Sequence, residues 1–269
     1  MSEFILKGTV NLPQKRIDYS KELNQEQLNV VLHGDGPSLV LAGAGSGKTR
    51  TLVYRVAYLI EHGIDPSRIL LLTFTNKAAS EMLTRVQELT GSDAKGIWSG
   101  TFHSVANRML RMHLSVIGAP SFTILDQEDS RTLVKSVMKE LKIDPKARRF
   151  PSPNVVQGLI SYQRNTLSSI QDAIEMRAAN FEDCASDIEE IGRIYDRRKQ
   201  EARCMDFDDL LRAWSDLLDS EQGRSITQRF QYLLVDEYQD TNSLQASIVS
   251  RLGKAHSNVL VVGDDAQSI

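Results

Sequence analysis

The apolar positions of this chain fall into short unbroken runs separated by longer stretches of helical periodicity. Runs at 38–42, 69–75, 97–102, 232–236 and 258–262 are apolar with little alternation, the pattern of parallel strands covered on both faces. Between them, apolar residues recurring every three or four positions predict a short helix over 24–33 and longer ones over 47–62 and 76–90. After His103 the texture changes. From about Asn107 to Arg203 the pattern is mostly helical, with N-cap signals at Asp126 and near Ser152-Pro153 and one short strand expected at 122–125. After Asp206 a helix leads to the fourth strand, and a further helix to the fifth. The pattern predicts an α/β parallel-sheet core interrupted by a mostly helical insert, without repeats or low-complexity tracts.

Two motifs give that core a chemistry. Residues 42–49 read AGAGSGKT directly after Leu39-Val40-Leu41. Gly43, Gly45 and Gly47, with Ala44 and Ser46 between them, allow a tight turn whose backbone N–H groups face phosphate oxygens. The helix that follows adds its positive dipole end. In this pattern Lys48 reaches the β- and γ-phosphates and the Thr49 hydroxyl holds Mg²⁺. Ala42 stands where the G-x-x-x-x-G-K-[ST] pattern begins with glycine, so the backbone there must tolerate a Cβ. The second motif, LLVDEYQD at 233–240, closes an apolar strand with Asp236 and Glu237. An Asp at a strand end opposite a phosphate loop can hold Mg²⁺, and a neighbouring Glu can activate the attacking water. Together they predict a P-loop nucleoside triphosphatase site, with ATP and Mg²⁺ as cofactors once the family below is considered.

Composition narrows the partners. With 269 residues, 41% hydrophobic and 25% charged, the chain can build a sizeable core. A net charge of −3 excludes a uniformly basic coat, so any nucleic-acid surface must be local. The two cysteines, Cys184 and Cys204, lack metal-ligand spacing and make no disulfide framework. The four-residue apolar run near the start is no secretory signal, and nothing approaches the length of a membrane span, so a cytoplasmic location and no membrane partner are expected. The chain stops within a loop just past a strand, where a natural domain rarely ends, and a fragment is expected.

In order along the chain, LNQEQ (23–27), AGAGSGKTR (42–50), TFTNKAA (73–79), GTFHS (100–104), DFDDLL (206–211), VDEYQDTN (235–242) and VGDDAQSI (262–269) resemble the N-terminal half of superfamily 1 DNA helicases of the UvrD/Rep/PcrA type. The resemblance runs from about Leu23 to Ile269. It implies a RecA-like core in two parts, 1–110 and 205–269, around an insert at 111–204, with the second motor core absent. It further implies an ATP-dependent translocase that unwinds DNA, in the 3′ to 5′ direction as in relatives. Gln27 takes the place of an adenine-reading glutamine, and Arg50 of an arginine stacked on the base. Gln267 takes that of a γ-phosphate sensor. Thr73, Phe74, Thr75, Asn76, Thr101, His103 and Ser104 take those of strand-end contacts to single-stranded DNA. Gln239 and Asp240 lie on a stretch that links the nucleotide to the DNA side.

The residues by themselves leave alternatives open. Gln27 can be a solvated helix residue, Phe74 a core residue, His103 a capping or packing histidine, and Gln267 a turn residue. Arg50 sits unfavourably at a positive helix end, which a stacking guanidinium would explain. Two basic windows in the insert (Arg131, Lys135, Lys139, Lys142, Lys146, Arg148, Arg149; and Arg193, Arg197, Arg198, Lys199, Arg203) are either solvated faces or, as the family implies, a surface for the duplex of a fork. Without a second core and its arginines, the piece is expected to bind nucleotide weakly and hydrolyse it barely. Other readings are a nucleotide- and DNA-binding module without turnover, the motor half of a RecB/AddA-type helicase-nuclease, and a P-loop kinase or GTPase. The last lacks an Asn-Lys-x-Asp guanine reader. Oligomeric state is not legible.

Overall fold

The computed structural model describes residues 17–91, 94–116, 118, 121–143 and 149–264. Two short helices, α1 (Tyr19–Glu22) and α2 (Gln25–Val31), precede β1 (Ser38–Leu41). Helix α3 (Lys48–Glu61), β2 (Ile69–Thr73), α4 (Asn76–Thr90), β3 (Trp98–Thr101) and α5 (Phe102–Met112) follow. Next come β4 (Thr123–Ile124) and helices α6 (Gln127–Glu140), α7 (Pro153–Thr166), α8 (Ile170–Ala178) and α9 (Ala185–Glu201). The chain returns through β5 (Cys204–Met205), α10 (Phe207–Asp219), α11 (Glu221–Arg229), β6 (Tyr232–Val235), α12 (Ser243–Gly253) and β7 (Val259–Gly263).

The main sheet is wholly parallel, in the order β1-β7-β6-β2-β3. Every residue of β2 and β6 is buried, as their continuous apolar runs require. Alternation divides the strands between two cores. Leu70, Leu72, Leu233 and Val235 pack with α5, α10 and α12 on one face, while Ile69, Leu71, Leu234 and Val262 pack with α3 and α4 on the other. Each such buried side chain contributes about 1.5–3 kcal/mol relative to exposure. Helices α6 to α9 build a third cluster of their own around Val134, Leu159, Ile174, Ile188 and Tyr195.

Side-chain caps set where helices begin. Thr75 accepts from Ala78 N–H at 3.1 Å and Thr101 from Ser104 N–H at 3.2 Å. The strands expected over 69–75 and 97–102 therefore end at Thr73 and Thr101, because the next residues are drawn into caps and helices. Phe102 lies in α5 and is buried in the first core.

The helical cluster joins the core through a buried polar knot. Asp206 caps α10 and accepts from Lys199 Nζ at 2.6 Å, Tyr195 Oη at 2.8 Å and Arg164 at 3.3 Å. Burial alone would raise the Asp206 pKa, but Lys199 and Arg164 outweigh it and hold the group at about 2. Its neighbour Asp209 is pushed up by burial and by the Asp206 charge.

Candidate nucleotide and nucleic-acid site

Because the strands are parallel, β1, β7 and β6 all deliver their following loops to one edge of the sheet. Ala42 N–H donates to Gly263 O at 3.0 Å, so the ladder runs one residue beyond β1 and the methyl group is accommodated there. Gly45 (φ 78°) and Gly47 (φ 87°) adopt left-handed backbone, which is why glycine is needed at both. Gly43 does not, and a Cβ there would meet open space. Gly47 ends the loop and α3 starts at Lys48, its free N–H groups pointing into the loop.

The acids of the β6 edge meet this helix start. Thr49 Oγ1 donates to Asp236 Oδ2 at 3.2 Å, and Lys48 Nζ lies 3.4 Å from Glu237 Oε2. Lys48 Nζ is also 3.4 Å from Asp264 Oδ2, at the end of β7. Glu237 holds a left-handed backbone (φ 51°), uncommon for a residue with a side chain and a form of stored strain. Burial first, then the Glu237 charge, pushes the Asp236 pKa up, against the pull of the Glu237 N–H, Thr49 and Lys48. Three carboxylates thus face one ammonium, an excess that a divalent cation would offset. A buried carboxylate beside a hydroxyl is a hard oxygen pair suited to Mg²⁺, which takes its remaining ligands from phosphates and water. Among the described residues no group of three or more His, Cys, Asp or Glu forms a dedicated metal cage.

Asp264 was not singled out from the sequence. Its signal was present: β7 ends in Gly263-Asp264 much as β6 ends in Asp236-Glu237. Only the strand order, which sets β7 between β1 and β6, brings that acid to the lysine. Gln239 ties the two acidic ends together. Its Nε2 donates to Glu237 Oε2 at 2.9 Å, and its Oε1 accepts from Asp264 N–H at 2.9 Å.

At the far end of the loop, Gln27 Nε2 donates to Ser46 O at 2.9 Å. Gln27 also completes a capping box with Asn24 at the start of α2, so its carboxamide is locally held. Arg50 donates to the Glu22 carbonyl at 2.8 Å and its carboxylate at 3.0 Å, with its guanidinium 5.0 Å from the Tyr54 ring centre. A first-turn cation is tolerated here because an acid outside the helix answers it.

The other residues of interest line the β2–β3 side of the same sheet edge. Phe74 is 39% exposed at the end of β2, outside the core packing. Thr73 is buried and donates its hydroxyl to Thr75 O at 2.9 Å, so it shapes the turn without presenting a free donor. The Thr75 and Thr101 hydroxyls cap α4 and α5, and Ser104 Oγ donates to Thr101 O at 2.9 Å. A cleft of about 660 Å³ runs past Asn76, Thr101, His103, Ser104, Asn107 and Phe207. Burial lowers the His103 pKa against the pull of Asp208, which favours the neutral imidazole. Its ring meets Phe207 edge-on at 5.6 Å. Phe207 is 46% exposed and was missed, although the DFDDLL motif sets it directly after the Asp206 cap.

Gln267 lies outside the described residues, as do Lys146 and Arg148. In the second basic window four of the five charges are answered locally: Arg193 by Glu190, Arg197 by Glu201, Arg198 by Glu140, and Lys199 in the buried knot. In the first window, Lys135, Lys139 and Lys142 border an open cleft with Thr132 and Ser136. No helix among the described residues is long and apolar enough to cross a membrane.

A sequence model described as the UvrD/REP helicase N-terminal domain matches residues 23–269. The chain is 42% identical over 253 residues to an ATP-dependent DNA helicase PcrA of Staphylococcus epidermidis, covering 93% of this chain and 34% of that protein. It is 40% identical over 251 residues to the PcrA of Bacillus subtilis (92% and 33%) and 41% over 251 to that of Staphylococcus aureus (92% and 34%). The chain therefore spans about a third of the length of the curated relatives it matches.

Proposed function

This chain belongs to the UvrD/REP helicase N-terminal domain family, and on that premise we propose that it is the ATP-binding motor half of an ATP-dependent DNA helicase that translocates 3′ to 5′ on single strands. The observation that carries the reading is the convergence of Lys48 and Thr49 with Asp236 and Glu237 at one sheet edge.

In this reading the phosphates of ATP lie in the 43–47 loop. Lys48 exchanges its two carboxylate partners for β- and γ-phosphate oxygens. Thr49 and Asp236 would hold Mg²⁺, which neutralises charge on the phosphate oxygens. Glu237, released from Lys48 and still oriented by Gln239, accepts a proton from the attacking water. Gln27 and Arg50 hold the adenine, and Gln267 senses the γ-phosphate. Single-stranded DNA crosses the cleft beside Phe74, Asn76 and His103, with Thr73, Thr75 and Thr101 fixing the turns that present it. Forked duplex is met by the Lys135–Lys139–Lys142 face. The division into core (1–110, 205–269) and insert (111–204), and a cytoplasmic location, belong to the same proposal.

Steady-state ATP turnover with and without oligo(dT) tests it. The full-length protein should accelerate on DNA, and the 269-residue chain alone should stay near background. Brisk DNA-stimulated turnover by this chain alone would contradict the proposed need for a second core. A full-length protein that never hydrolyses ATP would contradict the motor reading.

A further inference from the structure

From the nucleotide edge a short path of side-chain hydrogen bonds and backbone turn runs to the wall of the nucleic-acid cleft, where it ends on Asn242, Asn165 and Asp208. It begins at Glu237, held by Gln239, and follows the turn Tyr238–Asp240 to Thr241, whose hydroxyl donates to Tyr238 O at 2.7 Å. Asn242 comes next and caps α12, its Oδ1 accepting from Gln245 N–H at 2.9 Å. Its other atom, Nδ2, reaches into the insert and donates to Asn165 Oδ1 at 2.9 Å. Asn165 Nδ2 in turn donates to Asp208 Oδ1 at 2.7 Å and to Ser161 O at 2.9 Å. Asp208 follows Phe207, the exposed ring that faces His103 in the cleft.

Asn165, on α7 with Ser161, joins Asn242 to Asp208, and the chemistry demands a carboxamide there. One end must accept from an amide and the other must donate to a carboxylate. An acid at this position would face Asp208 with like charge, and an alkyl group would leave both neighbours unanswered. A shift of the 237–242 segment when Lys48 leaves Glu237 would therefore reach Asp208 and Phe207 through Asn165, alongside the direct packing of α12 on α10.

We propose that Asn165 is a positioning residue that couples nucleotide state to the grip on single-stranded DNA, acting through Asn242 on one side and Asp208 on the other. The proposal rests on the function argued above. It assigns the transmission to a contact between insert and core on the wall of the cleft, which Asn165, Asp208 and Asn242 line.

The test measures oligo(dT) affinity of the full-length protein by fluorescence anisotropy, with and without a non-hydrolysable Mg²⁺–ATP analogue. The quantity read is the ratio of the two affinities, which a merely structural residue would not change. Wild type should show a ratio of about five-fold or more, the low end of ordinary coupling. Asn165→Ala should bring the ratio to within about two-fold of unity. Asn242→Asp, which keeps the helix cap but cannot donate to Asn165, should do the same, and the double variant should add nothing. A ratio retained in either single variant, or a wild-type ratio of one, would overturn the proposal. Failure of the wild-type protein to bind the ATP analogue or oligo(dT) at all would instead refute the helicase reading, and the coupling with it.

Discussion

Thr49 and Asp236 share a hydrogen bond of 3.2 Å although 187 positions separate them in the chain. The bond spans the two loops that the proposed Mg²⁺–nucleotide would bridge. It also leaves Asp236 buried with a raised pKa, an acid that burdens the fold when ionised. Asp236→Asn should therefore abolish Mg²⁺-dependent nucleotide binding while leaving the melting temperature equal to or above wild type. Differential scanning fluorimetry alongside a Mg²⁺ titration checks both. A variant with a clearly lowered Tm would mean that Asp236 is held for the fold.

The knot around Asp206 makes a pH prediction whose sign is fixed. Unfolded, this carboxyl has the ordinary value of 3.8; folded, it is held at about 2. Its pairing therefore stabilises the fold fully above about pH 4 and fades as pH falls toward 2. Asp206→Asn keeps the cap of α10 but removes the charge that answers Lys199 and Arg164. Urea melts at pH 7 should show a loss of about 1–3 kcal/mol. Near pH 2 the difference between the two proteins should shrink. An equal difference at both pH values would remove the electrostatic explanation.

Phe74, at the end of β2, and Phe207, on the cleft wall, expose more than a third of their surface, so truncating them empties no core. Either change to Ala should weaken oligo(dT) binding by about 1–3 kcal/mol, a base-stacking increment, with little change in Tm. A variant with normal DNA affinity and lowered stability would place that ring in the packing instead.

Gln27 presses its Nε2 against the Ser46 carbonyl, and a Cβ on Gly47 would come within 2.6 Å of it. Gln27→Glu cannot make that donation. It should cut the preference for ATP over GTP by a factor corresponding to about 1–3 kcal/mol, read by competition against a fluorescent nucleotide. An unchanged preference would confine Gln27 to capping α2.

What the sequence made legible follows from how local each signal is. The phosphate loop is one contiguous stretch whose glycines serve its own turn, so its position could be read directly. The central strands could be found because burial on both faces leaves no polar alternation. Their ends could not: Thr75 and Thr101 read as strand residues until the helices they cap are seen. The pairing of β4 with β5 joins two-residue strands about eighty positions apart and leaves no periodicity to detect. Asp264 reached Lys48 only through strand order, and Lys199, one of a run of basic residues, turned out to lie in a buried knot. Contacts made by topology are silent in any local window.

Binding of a fluorescent ATP analogue to this chain, with and without Mg²⁺, tests the shared pocket most directly. Wild type should bind with a Mg²⁺ requirement, Lys48→Ala should lose binding, and Glu237→Gln should bind at least as well, since its carboxylate competes for Lys48 in the free protein. Undiminished, Mg²⁺-independent binding by Lys48→Ala would contradict the account.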